Sequence, residues 1–83
     1  MRKNLKKARV IRFMTQKEVA DLVGCNRVTY SMVERGERSG THEFWKAIQN
    51  IFDVPDSEMF DLMKIDEGMK ESEEREKGYR QID

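Results

Sequence analysis

The chain has little of what several protein classes require. It holds one cysteine and one histidine in 83 residues, so it cannot form an intramolecular disulfide or assemble a zinc-ligand set. Cys25, in a turn, reads as small semi-buried packing rather than a redox group. There is one proline, Pro55, which leaves every earlier segment free to be helical. No apolar run approaches the roughly eighteen residues of a membrane span, and the first residues lack the apolar centre of a signal peptide, so a cytoplasmic protein is expected. No nucleophile stands beside a base and there is no phosphate-binding glycine loop, so neither an enzyme nor a cofactor is expected. No segment alternates as a strand, and no internal repeat is visible. At this length the chain forms one small domain with limited buried surface, which association would help to stabilise.

Net charge is zero, yet it is unevenly spread. Residues 1–52 carry 11 Lys or Arg against 5 Asp or Glu, a net +6, and residues 53–83 carry 5 against 11, a net −6. A basic half that releases counterions suits a nucleic-acid partner. Read alone, Arg2, Lys3, Lys6 and Lys7 are equally well a solvated helix face.

The basic half also carries the strongest pattern. Thr15 and Glu18 have the spacing of a capping box, which starts a helix at Gln16. Val19, Ala20 and Val23 form its buried side, and Gly24 supplies the left-handed conformation that ends it. After a short turn Asn26 caps a second helix, Arg27 to Arg35, whose Tyr30 and Val33 face the core and which Gly36 stops. Arg27, Val28, Thr29, Ser31 and Met32 are left for the outer face and flanks. Small Ala20 lets the two helices approach closely. This is a helix-turn-helix arrangement, whose second helix lies in the DNA major groove.

The remaining elements read as helices too. Helix 1 spans about Leu5 to Arg12. Thr41 caps helix 4, in which Trp45, Ile48 and Phe52 recur at i, i+3 and i+7, widened by Phe44 and Ile51. That spacing makes these aromatics core rather than a base-stacking surface. The six methionines read as adaptable packing, and His42 as solvent-facing or phosphate-contacting. Pro55 precedes a short helix 5 bearing Met59, Phe60, Leu62 and Met63. The expectation is an all-α, compact five-helix domain over residues 1–65. Residues 66–83 follow as an acidic tail, disordered or marginally helical, with Met69, Tyr79 and Ile82 as potential anchors for a protein partner.

From about Leu5 to Phe60 the chain resembles the Cro and phage-repressor family of helix-turn-helix regulators, through Leu5, Arg9, Thr15-Gln16, Ala20, Gly24 and Glu34-Arg35-Gly36. Phe13 and Asp53 stand where that family often has Gly, and Ser39-Gly40 where it often has Asn-Pro. The resemblance implies a lambda-repressor-like fold and an ion pair between Arg9 and Glu34. It also implies base-edge reading from Arg27, Val28, Thr29 and Ser31, flanked by Asn26 and Met32, with Gln16 approaching the DNA backbone and bracing a recognition side chain. In chemical terms Arg27 can pair with guanine, and Val28 and Thr29 can meet thymine methyl groups. Arg38, Thr41 and the basic N-terminus suit phosphate. Helix 5 has more apolar surface than one core face needs, which predicts a homodimer through Met59, Phe60 and Met63 and hence a palindromic operator. The expected function is a transcriptional regulator, a repressor of phage or mobile-element type. The alternative is an antitoxin or anti-repressor-like interaction module that uses the acidic tail.

Overall fold

A computed structural model describes residues 1–66. Readings that concern residues 67–83, including the tail's order and its anchors, lie outside the described residues. Five helices follow one another: α1 Lys3–Val10, α2 Gln16–Val23, α3 Arg27–Arg35, α4 His42–Phe52 and α5 Asp56–Met63. The fold is all-helical and lambda-repressor-like, with no strand among the described residues.

Local chemistry sets most helix boundaries. The Thr15 hydroxyl accepts the Glu18 N–H at 3.0 Å while the Glu18 carboxylate accepts the Thr15 N–H at 2.8 Å, a complete capping box. Asn26 Oδ1 accepts the Thr29 N–H and Thr41 Oγ1 the Phe44 N–H. Gly24 and Gly36 close α2 and α3 in the left-handed region, at φ 97° and 85°.

Helix 1 departs from expectation at both ends. It begins at Lys3, where the Asp66 carboxylate accepts the Lys3 N–H at 3.1 Å and so supplies a cap from the far side of the domain. It ends at Val10 because the chain tightens into a turn, with Arg12 N–H bonding Arg9 O and Phe13 N–H bonding Val10 O. Phe13 then takes φ 58° and Asp53, after α4, takes φ 55°. Both hold the left-handed conformation that glycine adopts without steric cost.

α2 packs against α3 and α4, and α1 against α5 and α3. Leu5, Val19, Ala20, Tyr30, Val33, Ile48 and Phe52 are fully buried between them, with Phe44, Trp45 and Leu62 at the margin. The Tyr30 and Phe44 rings stack at 6.0 Å, and Phe44 meets Trp45 edge-on at 5.0 Å. α5 divides its apolar groups. Leu62 is buried and Met59 packs partly against the core, whereas Phe60 is 74% exposed and Met63 41%. Of the expected dimer residues, then, Met59 already serves its own core.

Candidate nucleic-acid interface

The helix-turn-helix is tied to the core through one carboxylate. Glu34, on the inner face of α3, is 1% exposed and Arg9 of α1 is fully buried beneath it. Arg9 donates Nε to Glu34 Oε2 at 2.9 Å and Nη2 to Oε1 at 3.1 Å, a two-pronged pair. The Tyr30 hydroxyl donates to Oε2 at 2.8 Å and Gln16 Nε2 to Oε1 at 2.9 Å. A buried charge is tolerated only when so fully satisfied, and no buried side-chain polar atom among the described residues lacks a partner. Burial first, and Glu34's charge second, hold the Tyr30 phenol proton far above the ordinary tyrosine range.

Gln16 carries this network outward. Its amide nitrogen faces Glu34, so its oxygen faces out and accepts Arg27 Nη1 at 3.4 Å. Arg27 and Val28 are exposed at the first turn of α3, Thr29 and Met32 are half-buried, and Asn26 is exposed beside them. Ser31 differs from expectation. It is buried, and its hydroxyl accepts Arg35 Nη1 at 3.1 Å, so it belongs to the packed side of α3 rather than the outer face.

Arg38 is exposed in the loop between α3 and α4, and Thr41 and His42 are exposed at the start of α4. Because Thr41 Oγ1 accepts the capping N–H, its own hydroxyl proton can still be donated. Lys17 is exposed on α2 with Asp21 3.0 Å away.

Arg2 also differs from expectation. Read as part of a basic arm for phosphate, it is instead buried, 5% exposed. Its guanidinium donates to Val33 O at the end of α3, to Arg38 O at 2.9 Å, to Ser39 O at 3.4 Å and to Met63 O at 2.8 Å. It also lies 5.3 Å from the centre of the Trp45 ring, and desolvation lowers its pKa. An arginine beside Lys3, Lys6 and Lys7 carries no sequence signal for such burial. Asp66, the first residue of the acidic tail in sequence, is likewise tied into the domain, its N–H donating to Met1 O and its carboxylate accepting the Lys3 N–H.

The helix-turn-helix family model matches residues 5–59. The chain belongs to the Cro and phage-repressor helix-turn-helix family. Membership makes this a DNA-binding helix-turn-helix regulator. No curated relative and no solved structure gives a match. No helix among the described residues is long and apolar enough to cross a membrane.

Proposed function

We propose that this regulator is a repressor that binds a palindromic operator as a two-fold dimer, with α3 in the major groove. The observation that carries the reading is Arg27, an exposed guanidinium at the first turn of α3 steadied by a buried glutamine. A guanidinium held there offers two parallel donors to guanine O6 and N7. Val28, Thr29 and Met32 lie on the same stretch of helix and offer methyl groups to thymine, while Asn26 keeps its amide N–H donors beside them. Arg38 and Thr41 contact phosphate, which sets register without reading sequence, whereas Gln16, buried with its amide engaged by Glu34 and Arg27, only braces the reader. Ser31, being buried, is left out of the readers. Phe60 and Met63, joined by the exposed Ile65, form the contact between copies.

The test is selection from a pool of random duplexes. The expected product is an inverted repeat with half-site centres about one helical turn, roughly 34 Å, apart. A reporter promoter carrying that repeat should fall silent when the protein is supplied. No enrichment, or an enriched site without two-fold symmetry, overturns the operator reading. Increased reporter output overturns repression.

A further inference from the structure

The loop between α3 and α4 carries two exposed groups suited to phosphate, Arg38 and Thr41, but has little regular structure of its own to hold them. It is held from the inside. The carbonyls of Arg38 and Ser39 turn inward to the Arg2 guanidinium, and Ser39 O also accepts Trp45 Nε1 at 3.0 Å. Gly40 lies so close to Trp45 that a Cβ there would come within 2.7 Å of Nε1. Arg2 is fixed in turn by Met63 O and Val33 O, and its backbone N–H by Glu34 O at 2.8 Å. One planar guanidinium thus ties the loop to the ends of α3 and α5. An ammonium carries its three donors on one nitrogen and cannot span carbonyls that Arg2 reaches from Nε, Nη1 and Nη2.

We propose that Arg2 is a positioning residue for DNA binding: without touching DNA, it holds the α3–α4 loop so that Arg38 and Thr41 present together to the phosphate backbone. This rests on the assignment of Arg38 and Thr41 to phosphate, and the test separates the two. The salt dependence of binding to a random-sequence duplex is measured for the full chain, Arg38→Ala, Arg2→Lys and the double variant. Amide hydrogen exchange of the loop is followed in each free protein. Arg2→Lys keeps the charge and loses the fork, so a change in slope cannot come from net charge.

Removing Arg38 should lower the steepness of log K against log salt by about one. Arg2→Lys should lower it by a comparable amount, and the double variant no further. Loop amides should exchange faster in Arg2→Lys while those of α2 stay unchanged. An Arg38→Ala slope equal to the parent's removes the phosphate assignment and the inference with it. A normal slope in Arg2→Lys, or effects of the two substitutions that simply add, overturns the inference alone. Should Arg2→Lys fail to fold, Trp45→Phe loosens the same clamp, since it removes the Nε1 donor to Ser39 O and the part of the indole that faces the Arg2 guanidinium. It should lower the slope in the same way, and an unchanged slope there overturns the inference.

Discussion

Gln16 donates its amide to Glu34 at 2.9 Å, and this bond dictates the direction of the whole side chain. The nitrogen must face the carboxylate, so the oxygen must face Arg27. The buried ion pair of the core and the first exposed residue of α3 therefore share one amide group.

At the selected operator, Arg27→Ala should cost about 1–3 kcal/mol and relax preference at one base pair, with thermal stability almost unchanged. Gln16→Ala should reproduce part of that loss, because Arg27 is then free to sample other rotamers. Titration at fixed salt on specific and random duplexes checks this. An equal loss on both would make Arg27 a phosphate contact instead.

Arg9→Met strands the Glu34 charge with only Gln16 and Tyr30 as donors, and removal of one partner of a buried pair costs about 3–5 kcal/mol. The double variant Arg9→Met/Glu34→Leu should cost clearly less than the two single changes together. Urea unfolding of the four proteins measures the coupling, and additive effects would show that the pair contributes no mutual energy.

Tyr30 gives stability an alkaline limit. Its raised pKa means that the folded protein keeps the phenol proton where the unfolded chain would lose it. The protein has this advantage in full below the ordinary tyrosine value of about 10 and loses it progressively as pH rises beyond that value. Melting temperature should therefore fall above about pH 10, and Tyr30→Phe should fall less steeply. Parallel curves for the two proteins would contradict the assignment.

Phe13 is 93% exposed and sits at φ 58°, so it has strain and almost no packing to offset it. Left-handed backbone costs a non-glycine residue about 1–2 kcal/mol, and Phe13→Gly should recover about 1 kcal/mol of stability after glycine's greater unfolded-state entropy is subtracted. A lower melting temperature in that variant would mean that the Phe13 ring contributes packing in solution.

Phe60→Glu should yield a monomer by sedimentation with its helical content intact, since the ring is exposed and not part of the core. Operator affinity should fall with the dimer, because two half-sites are then bound independently. Retention of a concentration-dependent dimer would place the contact elsewhere.

The caps at Thr15, Asn26 and Thr41 and the apolar faces of α2, α3 and α4 were legible in the sequence, because each is a relation between residues three or four apart. Such relations survive in a one-dimensional reading: a helix repeats its neighbours at that interval whatever surrounds it. Arg9 and Glu34 could be paired only through resemblance, being 25 positions apart. The early end of α1, the burial of Ser31 and the division of α5 between core and surface were decided by which elements pack where. The places of Arg2 and Asp66 were decided in the same way. Arg2 meets Met63 across 61 positions and Asp66 meets Lys3 across 63. A charged residue looks solvated in a sequence, and only the assembled fold brings it the carbonyls and helix N–H groups that compensate its loss of water.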